Sequence, residues 1–393
     1  MTCPACDGTD AKVFYQRQGV PVHSCLLLDD ETEARDFPRG ELRLALCSGC
    51  GFVYNEAYDP ALSHYSPAYE ETQAFSPHFQ SFLSDLATRW VDRYGLRGGR
   101  VVELGCGKAE FLVELVRHGV TDAVGVDPGA HPERLPDDVR DRIKLIRGFF
   151  PEVMGTIEAD AVICRHTLEH IGPVADFMRA VRRAIGDRTA TAVLFELPDT
   201  LRVLREAAFW DVYYEHCSYF TLGSLARLFR RTGFEVIDLA MAYDDQYLLI
   251  EARPAPLETA PAAQEHIAED TVEEVAHAVS DFQDAEEALV RRWSDEVREV
   301  SARGGRTAIW GSGSKGVAFL AALGAESLGI GCAVDINPYK HGKFMAGTAH
   351  EIVAPTRLGE YLPELVVAMN PVYVEEIQRD LDRLDVPATL KAL

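Results

Sequence analysis

Val101-Val102-Glu103-Leu104-Gly105-Cys106-Gly107-Lys108-Ala109-Glu110-Phe111-Leu112 is the stretch that decides the fold. It opens as a short β-branched run, turns on two glycines, and continues with Phe111, Leu112, Leu115 and Val116 at helical spacing. A strand, a tight turn and a helix in this order begin a doubly wound α/β domain. The glycines leave room for a ligand to reach the backbone amides. Asp127 follows the next apolar run, Ala123-Val124-Gly125-Val126, about 20 residues on, where a carboxylate can accept both ribose hydroxyls of a nucleoside. The spelling is E-x-G-x-G and not the dinucleotide fingerprint G-x-G-x-x-G.

The 393 residues suffice for two or three domains, and an apolar content of 47% permits ordinary cores. No apolar run approaches the roughly 20 residues of a membrane span. The start, Met1-Thr2-Cys3-Pro4-Ala5-Cys6, lacks a basic region followed by an apolar one, so a cytoplasmic location is expected. Lys and Arg number 39 against 62 Asp and Glu, a formal charge of −23. Such a surface repels phosphate backbones. The expected partner is a small molecule, with no nucleic acid and no membrane; the oligomeric state stays open.

Two of the nine cysteine positions fall in each of two C-x-x-C pairs, Cys3 with Cys6 and Cys47 with Cys50. Each pair lies in a small turn, and four thiolates so arranged close a tetrahedral structural Zn²⁺ site. Metal binding on the order of 10 kcal/mol can hold a segment that lacks a full core. Redox use is disfavoured because neither pair is followed by a helix of a βαβ unit. A catalytic zinc is disfavoured because four cysteines leave no open position. His23 or Cys25 can also be read as a replacement for one ligand.

From Tyr54 to Phe82 the chain is dense in aromatics and turn residues, which suits a lid over a site or a brace between domains. After Asp127-Pro128 come a strand at Ile143–Ile146 and then Gly148-Phe149-Phe150. Asp160-Ala161-Val162-Ile163-Cys164 is another strand, and His166 follows its carboxyl end, where α/β sheets bind ligands. His166, Glu169 and His170 are not read as a metal cluster, and His170 is expected on a helix surface or in packing. The stretch Tyr213-Tyr214-Glu215-His216-Cys217-Ser218 is the most chemically loaded, because Tyr, Glu and His within four residues can relay a proton. Its bland counterpart is an aromatic packing loop with a polar rim.

A Pro/Ala-rich linker, 254–263, precedes one long acidic helix expected over about 269–303. Then Thr307–Trp310, Gly311-Ser312-Gly313-Ser314-Lys315-Gly316 and Val317–Leu320 repeat the strand, turn and helix, here spelled G-x-G-x-x-G. Asp335 ends the following strand, 331–334, and one more strand is visible at 365–369. About 90 residues are few for a full dinucleotide fold, so half a Rossmann unit is expected. The helix start at Ser312–Lys315 suits a phosphate, with Lys315 and Lys340 as supplementary charges.

The E-x-G-x-G turn with its later acid resembles the first motif of S-adenosylmethionine-dependent methyltransferases. Taken with the cysteine pairs, the Y-x-E-H stretch and the C-terminal G-x-G-x-x-G unit, the whole chain resembles the sugar C-methyltransferases that methylate carbon 3 of nucleotide-linked 4-keto sugars. The resemblance implies an N-terminal zinc-binding module (1–60), a class I, Rossmann-like methyltransferase core (61–254), a linker and long helix (255–303) and a small Rossmann-like α/β domain (304–393). It implies S-adenosylmethionine and structural Zn²⁺ as cofactors, the zinc on Cys3, Cys6, Cys47 and Cys50. The methyl donor falls to Glu103, Gly105, Cys106, Gly107, Asp127, Pro128, Phe149 and His166. The chemistry falls to Tyr213, Glu215 and His216 with an upstream tyrosine, Tyr65 or Tyr69. The sugar nucleotide falls to Gly311, Gly313 and Lys315. The expected reaction is removal of a proton beside the ketone by His216, aided by Glu215, then attack of the carbon on the sulfonium methyl. An O- or N-methyltransferase, a nucleotide-binding scaffold without turnover and an NAD-dependent oxidoreductase are the competing readings.

Overall fold

The computed structural model describes residues 2–63, 68–256 and 266–393, and among these the strands form three sheets. β1 (Ala11–Pro21), β2 (Arg39–Cys47) and β3 (Val53–Asn55) make an antiparallel meander. β4 (Arg100–Leu104), β5 (Asp122–Val126), β6 (Ile143–Ile146), β7 (Ala161–Arg165) and β8 (Ala192–Pro198) are parallel neighbours. β9 (Ser218–Tyr219) pairs instead with β3, closing the first sheet in the order β1-β2-β3-β9. β10 (Phe234–Ala242) and β11 (Tyr247–Pro254) return antiparallel and complete the second in the order β10-β11-β8-β7-β4-β5-β6. This is the expected Rossmann-like core with its antiparallel finish.

β4 is buried along Val101–Leu104 because helices cover both faces of its sheet, and only Glu103 interrupts its apolar residues Val101, Val102 and Leu104. The helix Glu110–Arg117 buries Phe111, Leu112, Leu115 and Val116 along one side. Against it lies the helix Pro77–Tyr94, whose Ser76 cap accepts from Phe79 N and whose end is the left-handed Gly95. Trp90 of that helix meets Phe111 edge-on at 5.5 Å.

The C-terminal sheet has more strands than the sequence shows. β12 (Thr307–Trp310), β13 (Ile330–Val334), β14 (Ile352–Val353), β15 (Leu365–Ala368) and β16 (Thr389–Ala392) are all parallel, in the order β14-β13-β12-β15-β16. β14 spans two residues, and β16 is a half-exposed edge, so neither carries the apolar run that marks β12, β13 and β15. The long helix is two, Val272–Ser280 and Phe282–Ala302. They part at Asp281, where the Ser280 hydroxyl donates to His277 O, and where Phe282 is buried edge-on against Phe14 and Tyr15. Among the described residues no helix is long and apolar enough to cross a membrane.

In both parallel sheets the strand before the glycine turn stands at the point where strand order reverses: β4 between β5 and β7, β12 between β13 and β15. Ligands of open α/β sheets bind in the crevice beyond such points.

Candidate active site and cysteine cluster

Both crevices open into one cavity of about 1120 Å³. Every residue expected at the methyl donor lines it, as do Tyr69, Tyr213, His216, Gly311, Gly313 and Lys315. Tyr65 lies outside the described residues. Glu215 is the exception, standing behind the wall.

The first turn is shaped for close approach. Gly105 has φ +72, and a Cβ there would run into the Thr167 side chain. Gly107 N donates to Asp127 Oδ2 at 2.9 Å and Gly129 N to Asp127 Oδ1 at 2.6 Å, which fixes the carboxylate at the mouth of the crevice. Glu103 is buried, its Oε2 has no hydrogen-bond partner, and burial pushes its carboxyl up to about 8 despite Arg165. An orphaned acid of this kind suits a cationic group of a ligand. Glu71, absent from the sequence reading, also faces the turn; burial raises it to about 7 while Lys108, 3.4 Å away, opposes this.

His166 hydrogen-bonds Glu196 Oε1 at 2.7 Å, and the same carboxylate accepts from Arg165. Burial lowers His166, but Glu169 and Glu196 outweigh it and bring the ring to about 9. His166 is therefore a cation at neutral pH and not a base.

The Tyr213–His216 turn follows a short 3-10 helix, Phe209–Asp211, and is pinned by His216 N donating to Tyr213 O at 3.2 Å. The His216 ring lies 4.1 Å from Tyr213, tilted by 49°, and 4.7 Å from His170, edge-on. Burial and then the nearby His170, His166 and Lys315 push His216 well below its usual range, so it is unprotonated at pH 7 and can accept a proton. Burial raises Tyr213, which keeps its proton. Of the two expectations for His170, packing holds: it ends the short 3-10 helix Leu168–His170, half-buried against His216. Its Nδ1 donates to Glu215 O at 3.0 Å, and ligand atoms of Glu169, His170 and His216 lie within 4.8 Å of one another. The adjacent carboxylate does not orient the His216 imidazole. Glu215 turns the other way, because successive side chains of the turn diverge, and binds His23 Nδ1 at 3.0 Å and Ser24. Burial works to raise Glu215, but His23, His170 and Ser24 hold it below its usual range.

On the C-terminal side, Lys315 and Lys340 are already paired. The Lys315 ammonium binds Asp211, which also takes Arg202 at 2.8 Å, and Lys340 lies 3.3 Å from Asp335. Asp335 further accepts from Ser312 N at 3.0 Å and Asn337 N at 2.9 Å. Both lysines, expected as supplementary charges for a phosphate, are thus held by acids beside the second turn. Glu70 ties this side to the core, accepting from Asn337 Nδ2 and Arg134 Nη2, each at 2.9 Å.

Away from the cavity, the four cysteine sulfurs converge within 4.8 Å, with Cys3 to Cys50 at 3.7 Å and Cys6 to Cys47 at 3.6 Å. Tetrahedral thiolates about 2.3 Å from a zinc ion stand about 3.8 Å apart, so the spacing fits. The two turns are built alike. Asp7 N donates to Cys3 O and Gly51 N to Cys47 O, both at 2.9 Å, and both residues have positive φ, 62° and 71°. His23 and Cys25 lie elsewhere, at Glu215 and at Ser314, and belong to no metal shell here.

A family described as a methyltransferase domain matches residues 78–239, and one described as a C-methyltransferase C-terminal domain matches residues 252–386. C-methyltransferase NovU of Streptomyces niveus is 29% identical over 365 residues, covering 89% of this chain and 85% of that protein. Among solved structures, the N,N-8-amino-8-demethyl-D-riboflavin dimethyltransferase RosA of Streptomyces davawensis is 21% identical with a TM-score of 0.38, over 45% of this chain and 55% of that one. The 1,6-didemethyltoxoflavin-N1-methyltransferase of Burkholderia thailandensis is 16% identical with the same TM-score of 0.38, over 52% of this chain and 96% of that one.

Proposed function

Because the chain belongs to the S-adenosylmethionine-dependent C-methyltransferase family, we propose that its acceptor is a nucleotide-linked keto sugar, methylated on the carbon beside the ketone. The observation that carries this reading is a neutral, buried His216 packed against a protonated Tyr213 in the same cavity as the Gly105–Gly107 turn. A carbon acid needs a base and a hydrogen-bond donor at once, whereas an amine or phenolate acceptor arrives with its own lone pair.

S-adenosylmethionine supplies an electrophilic methyl group on its sulfonium. Glu103, Asp127 and the backbone of Gly105–Gly107 hold it, with Phe149 and Pro128 at the outer wall. His216 removes the proton from the carbon next to the ketone. Tyr213, or Tyr69, which lines the same cavity, donates to the ketone oxygen where negative charge gathers. Holding carbon and methyl in line in a closed cavity supplies much of the rate. The Gly311–Gly313 turn and its neighbours receive the nucleotide part. The cysteine cluster, in the module over 1–60, takes zinc as a closed structural site, since four thiolates leave it no position for substrate.

The test is methyl transfer from labelled S-adenosylmethionine to nucleotide-linked 4-keto and 4-hydroxy sugars, followed by product NMR. A new C–CH₃ group on the keto sugar alone is the expected product. Methyl on oxygen or nitrogen, or equal transfer to the 4-hydroxy sugar, overturns the reading.

A further inference from the structure

Glu215 is a buried acid in the middle of the catalytic turn that does not face the cavity. Among the described residues, the donors to its carboxylate come from the loop that leaves β1 of the cysteine-bearing sheet. His23 Nδ1 reaches Oε2 at 3.0 Å, while Ser24 N at 3.2 Å and the Ser24 hydroxyl both serve Oε1. Ser24 Oγ in turn lies 2.9 Å from Ser314 Oγ, and Cys25 Sγ lies 3.4 Å from that same hydroxyl. Ser314 is the first residue of the helix Ser314–Leu323 that follows the second glycine turn. Three remote parts of the chain thus meet around Ser24.

The backbone of the same residue carries the effect inward. Glu215 O accepts from His170 Nδ1, which keeps a proton on that nitrogen and sets the ring 4.7 Å from that of His216. The ring planes of His170 and His216 cross at 78°. A shift of Glu215 moves its carbonyl, and with it the tautomer and tilt of His170 and the seat of His216.

We propose that His23 and Ser24 are positioning residues, which clamp Glu215 so that its carbonyl fixes His170 beside the base, and that Glu215 is an anchor and not a reacting group. The proposal rests on His216 and Tyr213 being the reacting pair. It gives the N-terminal sheet a task in the active site besides holding metal. A carboxylate with three donors is a strong anchor, since hydrogen bonds to charged groups contribute roughly twice as much as neutral ones.

The experiment compares Ser24→Ala, His23→Phe, His23→Asn and Glu215→Gln in the full chain, with metal content and S-adenosylmethionine affinity measured on each preparation. The first readout needs no acceptor: NMR of protein with ¹⁵N-labelled histidine reports the His170 tautomer. A single Nδ1–H form is expected in the wild type and in His23→Asn, whose amide supplies a donor where Nδ1 stood. Mixed tautomers are expected in His23→Phe and Glu215→Gln. The second readout is turnover with the keto sugar. Ser24→Ala should lose about 10-fold in kcat and Glu215→Gln about 100-fold, KM for the donor staying constant. The double variant should be no slower than Glu215→Gln alone, as expected for residues acting through one group.

Losses that multiply in the double variant, or an unchanged His170 spectrum in both His23→Phe and Glu215→Gln, overturn the clamp. Absence of turnover in the wild type with any keto sugar strikes the acceptor reading alone, because the tautomer readout still stands.

Discussion

The two glycine turns have the same plan and opposite fates. Each follows a central strand, each opens a helix, and each finds an acid at the end of the next strand, Asp127 for the first and Asp335 for the second. Asp127 is half-buried and meets only backbone N–H groups at 2.9 and 2.6 Å, with the orphaned Glu103 beside it. Asp335 is buried, takes Ser312 and Asn337, and is neutralised by the buried Lys340. The first turn keeps polar capacity for a ligand. The second spends its acid on its own lysine and amides, and the helix behind it turns Lys315 and Ser314 toward Asp211 and Ser24. A nucleotide-binding spelling thus marks a turn geometry, and the pairing of its acid sets how much polar capacity that acid keeps for a ligand.

The sharpest way to break this contrast is to fill each turn. Gly105→Val places side-chain carbons against Thr167 at φ +72 and should weaken S-adenosylmethionine binding by more than about 100-fold, read by calorimetry. Next come the acids. Asp335→Asn leaves Lys340 buried without its partner and should cost about 3 kcal/mol in urea unfolding, whereas Asp127→Asn should cost under about 1 kcal/mol and show instead as weaker donor binding.

A smaller effect concerns protons. Glu103, pushed up to about 8, is largely protonated at pH 7, and a bound cation draws it down. Donor binding at pH 7 should therefore release part of one proton, and the release should fade toward both pH 4 and pH 10, seen as buffer-dependent binding enthalpy. Glu103→Gln should abolish it. The smallest effect is expected at Gly313, where a Cβ meets nothing within 4 Å and φ is −82. Gly313→Ala should leave donor affinity and kcat within about two-fold.

The parts of this arrangement legible in the sequence are those set by local periodicity or spacing. The run Val101–Leu104, the C-x-x-C pairs and the Tyr213–His216 stretch each announce themselves within a dozen residues. What stayed hidden depends on distant partners. His23 and Ser24 sit in an unremarkable loop, and only the folded sheet brings them to Glu215, nearly 200 residues on. Lys315 reads as a phosphate ligand until Asp211 is found against it. β14 and β16 are too short, or too exposed, to leave an apolar signature. Neighbouring letters also mislead: Glu215 and His216 are adjacent in sequence, yet their side chains serve opposite sides of one wall.

The pairing of β9 with β3 bears on how such proteins are recombined. Val53 and Tyr54 are partnered by Tyr219 and Ser218, so the edge of the cysteine-bearing sheet is finished by the segment that directly follows the catalytic turn. A chimera cut near residue 60 would separate a sheet from its own last strand and transplant an unfinished edge. Exchange of acceptor preference between relatives should instead move residues 1–254 as one piece, joined to a foreign C-terminal sheet after β11. The seam then crosses the Ser24–Ser314, Lys315–Asp211, Glu70–Asn337 and Gln246–Asn370 contacts, which the foreign sheet would have to supply.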